Sequence, residues 1–119
     1  MFEAHERQYL ESARVGRLAT ADAEGRPHAV PVCFALVDGH LVTPIDEKPQ
    51  RVSPDDLRRS RDVRENPRVA LLVDHYVEDW SQLGWLQVRG TAAHCEPDEA
   101  AHSAGVAALT RKYDQYADH

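Results

Sequence analysis

A short basic segment in an otherwise acidic chain is the first feature of this sequence with chemical consequences. From Lys48 to Arg68 seven basic residues stand against four acidic ones, so the segment carries a net charge of +3 and the rest of the chain −9. The basic residues are Lys48, Arg51, Arg58, Arg59, Arg61, Arg64 and Arg68. A local positive field of this kind favours a small anionic ligand. The pattern is more typical of a solvated helix whose charges pair with one another, but both interpretations stay open.

Two of these cations, Lys48 and Arg51, fall in a loop that follows a predicted strand ending in Thr43-Pro44-Ile45. An ammonium and a guanidinium in one short loop can each donate charge-assisted hydrogen bonds to phosphate oxygens. The start of the next helix adds free backbone N–H groups. Lys48 can also be an ordinary solvated loop lysine.

Arg58 and Arg61 lie three residues apart on the helix predicted after this loop, so they can face one direction. Either they bind a further anionic group, or they pair internally with Asp55, Asp62 or Glu65. The residue types leave these two interpretations about equal.

Other kinds of chemistry have no visible support. The seven histidines are scattered, with no His-x-x-x-His or Cys-x-x-Cys spacing, so we predict no metal site. The sequence has no Gly-x-Ser-x-Gly, no P-loop and no Gly-x-Gly-x-x-Gly, so nucleophilic and phosphoryl-transfer catalysis are not indicated. Hydride transfer by a bound cofactor needs no such motif, because the cofactor supplies the reactive carbon.

The composition is that of a globular protein: 119 residues, 42% hydrophobic and 29% charged, which predicts one domain over 1–119. No apolar run reaches the roughly 18 residues of a membrane span, and the first residues do not resemble a signal peptide. Two separated cysteines, Cys33 and Cys95, suggest a reduced, cytoplasmic setting. A net charge of −6 argues against nucleic acid as a partner.

The pattern of apolar residues and turn signals predicts a mainly β chain. The predicted strands are residues 15–20, 28–37, 40–45, 68–76 and 83–94, and the predicted helices are 2–13, 53–66 and 97–113. Gly25 is expected to have a positive φ in a turn, and Asp38-Gly39 predicts a two-residue hairpin. The strand at 28–37 is apolar on both faces, so we expect it to be covered on both sides. Such strands make an antiparallel barrel with helices at its corners.

Three ordered segments carry a family resemblance. They are Gly16-Arg17-Leu18-Ala19-Thr20 continuing to Gly25-Arg26-Pro27-His28 and Pro31-Val32, then Leu41 to Pro49, then Asn66-Pro67-Arg68-Val69-Ala70-Leu71-Leu72-Val73-Asp74. In this order they resemble the pyridoxamine-5′-phosphate-oxidase-like split β-barrel family. The residues of the second segment, together with Asp74-His75-Tyr76 and Asp79-Trp80, are most similar to sequences of the branch that uses the deazaflavin coenzyme F420.

The resemblance implies a six-stranded, FMN-binding-like Greek-key antiparallel barrel that forms a head-to-head homodimer, with cofactor sites along the subunit interface. It implies hydride transfer between F420 and a small conjugated organic substrate. The alternatives are an FMN-dependent oxidase or reductase of the same fold, or a non-catalytic carrier of flavin, deazaflavin, haem or another tetrapyrrole. The loop with Lys48 and Arg51 would hold the cofactor's phosphate, Thr43 would bond the phosphate or a ring edge, and Arg58 and Arg61 would meet the polyglutamate tail.

The apolar side of the implied site is less sharply defined. Val32 and its neighbours Val30 and Pro31, together with Pro44 and Ile45, can form a wall against the cofactor ring, or can be plain core. Trp80 can cover the site from the partner subunit. For Trp85, in mid-strand, core packing is the favoured interpretation.

The sequence departs from the family pattern in three places. Gln50 stands where relatives often have lysine, so the loop has one positive charge fewer. Asp62 stands where asparagine is common. Relatives usually carry a further strand after the last helix, whereas this chain stops at His119, which suggests truncation or a barrel that closes differently.

Overall fold

The protein forms three helices and six strands in the residues that the computed structural model describes, which are 2–44, 58–96 and 98–113. The elements in chain order are α1 (Ala4–Ser12), β1 (Gly16–Ala21), β2 (Pro27–Val32), β3 (Ala35–Val37), β4 (His40–Val42), α2 (Arg58–Glu65), β5 (Arg68–His75), β6 (Gly84–Thr91) and α3 (Ala100–Lys112). A short 3₁₀ turn, Trp80–Gln82, precedes β6. The chain divides into two compact units.

The first, called the sheet unit here, contains β1, β2, β5, β6 and α2. Its four strands are all antiparallel to their neighbours in the order β2-β1-β5-β6. One face of this sheet is covered: Val32 is 7% exposed, Leu71 6% and Val73 0%. Helix α2 packs against β1. The predicted helix over 53–66 is therefore confirmed for its described part, and it ends before Pro67, which disfavours helical geometry in the residue preceding it.

The second, called the hairpin unit, contains α1, the β3–β4 hairpin and α3. Helices α1 and α3 both pack against β3. The core is formed by Leu10, Phe34, Ala35, Leu109 and Tyr113, all 6% exposed or less. Burying apolar side chains of this size is the main source of stability for so small a cluster.

The two predicted turns are confirmed in their backbone geometry. Asp38 and Gly39 have φ of 49° and 81°, and they join β3 to β4 with Val37 paired to His40. Two successive positive φ angles are the mark of a type I′ hairpin turn, which matches the twist of the strands it joins. Gly25 also has a positive φ, of 81°, in the turn between β1 and β2.

The prediction of one long strand over 28–37 was wrong. The chain forms β2 up to Val32 and then β3 from Ala35, and the two strands belong to different sheets. The N–H of Phe34, between them, donates to the hydroxyl of Tyr113 at 3.2 Å, so it is not available to a neighbouring strand. The expected cover on both faces is absent from β2 within the described residues, since Ala29 and Pro31 are exposed. Splitting this strand gives six strands rather than five.

Part of the predicted site falls outside the described residues. Ile45, Lys48, Arg51 and the predicted helix start at Ser53-Pro54 lie there, and for Arg58 only the backbone is described. The predicted strands over 40–45 and 83–94 appear as the shorter β4 and β6.

Candidate cofactor site

Thr43 lies just after β4 and is held by the chain that precedes β3. Its hydroxyl donates a 2.7 Å hydrogen bond to the carbonyl oxygen of Cys33. The side chain is exposed, and with its hydrogen committed the oxygen can still accept a bond. Thr43 and the partly buried Pro44 are thus the last described residues before the predicted phosphate loop.

Polar contacts hold helix α2, which follows that loop, against β1 and the β1–β2 turn. The hydroxyl of Thr20 donates to Asp62 Oδ2 at 2.7 Å, and both side chains are buried, at 4% and 2% exposure. The N–H of Ala23 donates to Glu65 at 3.1 Å. Because a buried hydroxyl and carboxylate are costly unless they bond, this pair fixes where α2 lies on the sheet unit.

The same turn is stiffened by Asp22 and Arg26. Asp22 accepts the backbone N–H groups of Glu24 and Arg26, each at 3.0 Å, and its carboxylate pairs with Nε of Arg26 at 2.6 Å. The backbone and side-chain hydrogen bonds from Arg26 lower the pKa of Asp22. The carboxylate is therefore ionised over the physiological range and keeps the turn in one shape.

Arg61, one of the predicted tail-binding cations, lies among carboxylates. It lines a cavity of about 420 Å³ together with Asp22, Arg26, Asp62 and Glu65. Two cations and three acids give this lining a net charge of −1. That environment favours the internal-pairing interpretation for Arg61 over an acidic tail, and its role in binding stays a prediction.

The sheet unit has an exposed face of its own. In an antiparallel ladder, residues directly opposite one another share a face. The register therefore places these residues on one face, opposite the core: Arg17, Ala19, Ala29, Pro31, Ala70, Leu72, Asp74, Trp85, Gln87 and Arg89. Its centre is flat because three of the paired positions carry alanine, and one ion pair, Arg17 to Asp74 at 2.8 Å, lies on it.

Trp85 corrects the sequence interpretation. Core packing was favoured for this residue, but its side chain is 72% exposed. The alternation of β6 explains the difference: Trp85 shares a face with Gln87 and Arg89, whereas Leu86 and Val88 turn to the covered face. The same alternation is visible in the sequence and would have placed Trp85 on the polar face with Gln87 and Arg89.

Trp80, predicted as an anchor from the partner subunit, is also 72% exposed. It begins a 3₁₀ turn that is capped by Asp79, whose carboxylate accepts both the N–H and the hydroxyl of Ser81. These hydrogen bonds from Ser81 lower the pKa of Asp79. The cap holds the turn and so presents the indole outward.

Val32, predicted to line the ring, is buried in the sheet unit and pairs with Gly16. Its side chain belongs to the covered face, which agrees with the alternative that it is plain core. Among the described residues no group of histidine, cysteine and acidic side chains could hold a metal. Nor does any described helix have the length and apolar character needed to cross a membrane.

Antiparallel sheets with helices packed on them are the architecture of the split β-barrels. The chain belongs to the pyridoxamine 5′-phosphate oxidase family, whose family model matches residues 2–119. The predicted fold class, a mainly β split barrel with flanking helices, and the predicted family are both confirmed.

A curated relative shares part of this sequence. The chain is 38% identical over 73 residues to a 5a,11a-dehydrotetracycline/5a,11a-dehydrooxytetracycline reductase of Streptomyces rimosus. The aligned part covers 61% of this chain and 49% of the reductase. The match therefore spans about half the length of that enzyme.

Solved structures share the fold. A haem storage protein of Vibrio cholerae superposes with a TM-score of 0.76 at 18% identity, covering 98% of this chain and 78% of its own. A structure described as an F420 reductase superposes with a TM-score of 0.66 at 26% identity, covering 96% of this chain and 79% of its own. An FAD-binding protein of Mesorhizobium loti superposes with a TM-score of 0.64 at 28% identity, covering 96% of this chain and 78% of its own.

Proposed function

We propose that this chain is an oxidoreductase that binds coenzyme F420 and transfers hydride between it and a small conjugated organic substrate. The observation that carries the proposal is the 38% identity to a reductase over 73 residues, within a family whose model matches 2–119. The likeness to an F420 reductase, at 26% identity, supports the choice of cofactor.

The predicted phosphate loop supplies the anion-binding groups of this proposal. Lys48 and Arg51 carry charges that suit phosphate oxygens, and Thr43 offers an exposed hydroxyl oxygen just before them. Arg58 and Arg61 remain the candidates for binding an acidic tail. The carboxylates around Arg61 repel such a tail, which makes Arg61 the less favourable of the two.

The exposed face of the sheet unit supplies a surface that fits a flat ring. The alanines at 19, 29 and 70 have no side chain beyond Cβ, so a planar group can approach the backbone closely. The outward indoles of Trp80 and Trp85 are suitable aromatic partners. When bound, the cofactor supplies the hydride-carrying carbon, while the chain's own residues orient the ring and exclude water.

A second copy of the chain is part of the proposal. The exposed face carries Ala29, Pro31, Leu72 and Trp85, and apolar surface of this kind on a folded chain marks an interaction site. A twofold dimer would cover it with the same face of the partner. Such an interface would enclose a cofactor between two subunits, as the family resemblance implies.

The phosphate loop can be tested by changing its charge in both directions. Lys48→Ala should weaken F420 binding by about 1.5–3 kcal/mol, which is about 10- to 150-fold, because it removes a charge-assisted hydrogen bond. Gln50→Lys should tighten binding, since it adds a cation to the same loop, and Gln50→Ala is the neutral control. Turnover at saturating cofactor should stay near wild type in all three. Unchanged affinity in Lys48→Ala would refute the assigned loop.

An FMN-dependent reductase is the second candidate, favoured by the FAD-binding structure at 28% identity. Gln50 supports it too, because a loop with fewer cations suits a less acidic cofactor. A purified protein that is yellow and releases FMN on denaturation would support this version. A colourless protein that binds F420 and not FMN would reject it.

A further inference from the structure

A groove in the hairpin unit is lined by both of its helices and by the turn of its hairpin. The groove has a volume of about 650 Å³. Its floor is apolar, made by Ala35, Leu36 and Ala108, of which the two alanines are 3% and 5% exposed. It lies within one unit of the chain and shares no residue with the proposed cofactor site. The proposed function therefore leaves it without a role.

The rim of this groove is charged. Arg7 comes from α1, and Arg111 and Lys112 come from the end of α3; Glu11 and Asp38 are the acids. Within the described part of the chain, neither arginine lies within 4.0 Å of a carboxylate, so neither is neutralised by an ion pair. Three cations and two acids leave the lining with a net charge of +1.

Lys112 differs from a solvated lysine because its amine is partly enclosed. Its Nζ donates to the carbonyl oxygen of Leu10 at 3.1 Å and lies 3.9 Å from the centre of the Phe34 ring. Burial, followed by the positive charge of Arg14, lowers the pKa of Lys112 to about 8. A negative charge placed near this amine would relieve the cost of keeping it protonated.

We propose that this groove binds a small apolar monocarboxylate, with its carboxylate at Arg7, Arg111 and Lys112 and its hydrocarbon part on Ala35, Leu36 and Ala108. The net charge of +1 matches one negative charge, and Glu11 and Asp38 oppose an anion of higher charge. Guanidinium groups donate in pairs, which fits the two oxygens of a carboxylate. The apolar floor supplies the burial that a hydrophilic anion could not use.

The probe for this proposal is octanoate, titrated into the full chain by calorimetry, with octanol as the uncharged analogue of equal length. Octanoate should saturate one site per chain and bind at least tenfold more tightly than octanol. Arg7→Gln and Arg111→Gln should each weaken octanoate about three- to tenfold, the size expected for an exposed charge-assisted bond. The control is Arg89→Gln, an exposed arginine of the sheet unit, which should leave the affinity unchanged.

The pH dependence gives an independent reading of where the carboxylate binds. Octanoate affinity should fall between pH 7 and 9 as Lys112 loses its proton, and Lys112→Met should remove this dependence. The groups that face Lys112 are Arg14 and Glu11 from the α1 side, Cys33 before β3 and Tyr113 after α3, with Arg7, Arg111 and Asp38 on the rim. Cys33→Ser serves as the control for the thiol and should retain the dependence.

Three results would overturn the proposal: equal affinity for octanol, undiminished octanoate binding in both arginine variants, or a pH dependence that persists in Lys112→Met. Circular dichroism on each variant separates lost binding from lost folding, and both arginines are exposed, so their replacement leaves the core intact. F420 binding should be the same in Arg7→Gln, Arg111→Gln and Lys112→Met, which distinguishes this site from the proposed cofactor site.

Discussion

The hydrogen bond between Thr20 and Asp62 is a buried contact between β1 and α2. It joins residues 42 positions apart, and both side chains are almost fully covered. The sequence singled out Asp62 only as a departure from the family pattern and gave Thr20 no role beyond the resemblance. Neither residue type indicates its partner, because the contact forms only once β1 and α2 pack together.

Replacing Thr20 by valine should therefore destabilise the protein by about 1–3 kcal/mol, since the shape is kept and the carboxylate of Asp62 loses a donor. Urea unfolding measures the change. Thr91→Val, at an exposed position of β6, is the matched control and should alter stability by about 0.5 kcal/mol or less. Equal effects of the two replacements would contradict the role given to Thr20.

Lys112 should make stability depend on pH in a defined window. Its pKa is about 8 in the folded chain and 10.5 is the ordinary value. Between these values the unfolded chain binds more protons, so the stability that Lys112 contributes should rise with pH from about 8 to 10.5 and stay flat below about 7. The measurement is the difference in unfolding free energy between wild type and Lys112→Met. A difference that stays flat or falls with pH in this window would contradict a lowered pKa for Lys112.

At the scale of elements, the sequence predicted the turns and helix ends that depend on neighbouring residues, but not the strand break at which residues distant in sequence meet. The Asp38-Gly39 turn, the turn at Gly25 and the end of α2 before Pro67 were all predictable, because each depends on the φ preferences of one or two residues. The break between β2 and β3 was not, because the apolar pattern continues through Cys33 and Phe34. The hydroxyl that accepts the N–H of Phe34 at this break belongs to Tyr113, 79 residues further along the chain.

Tyr113→Phe tests that explanation. The Tyr113 hydroxyl lies 3.2 Å from Phe34 N and 3.1 Å from the carbonyl oxygens of Phe34 and Arg14. Its loss leaves a buried N–H without this acceptor, so we expect a destabilisation of about 1–3 kcal/mol. Amide hydrogen exchange should be faster at Phe34 in the variant than in the wild type. This increase should be larger than the one at Val73, in the core of β5. Unaltered protection of Phe34 would mean that another group holds the strand break.

At the scale of the whole molecule, the family was predictable from three ordered segments, whereas the exposed face was not. Small residues such as Ala19, Ala29 and Ala70 are compatible with either a packed core or an open surface, and only the register of four strands shows that they lie opposite the core. The predicted phosphate loop lies outside the described residues, so Lys48 and Arg51 remain predictions from the sequence.

The exposed face yields a prediction about assembly. Ala29→Glu places a charge in the middle of that face and should convert the proposed dimer into a monomer that keeps its fold, as far-UV circular dichroism would show. Sedimentation at micromolar concentration measures this, and Ser103→Glu, an exposed position of α3, is the control that should remain dimeric. A wild-type protein that is monomeric at these concentrations would remove the interface from the proposal.

The central claim is that this split barrel binds a redox cofactor and passes its hydride on. The most direct measurement is to mix the purified chain anaerobically with reduced F420, follow the quenching of Trp80 and Trp85 fluorescence, and then add a panel of conjugated enones while recording the oxidation of the cofactor. We predict saturable quenching at micromolar F420 and stoichiometric oxidation with at least one enone. Binding of neither F420 nor FMN, or bound cofactor that no acceptor oxidises, would contradict the account.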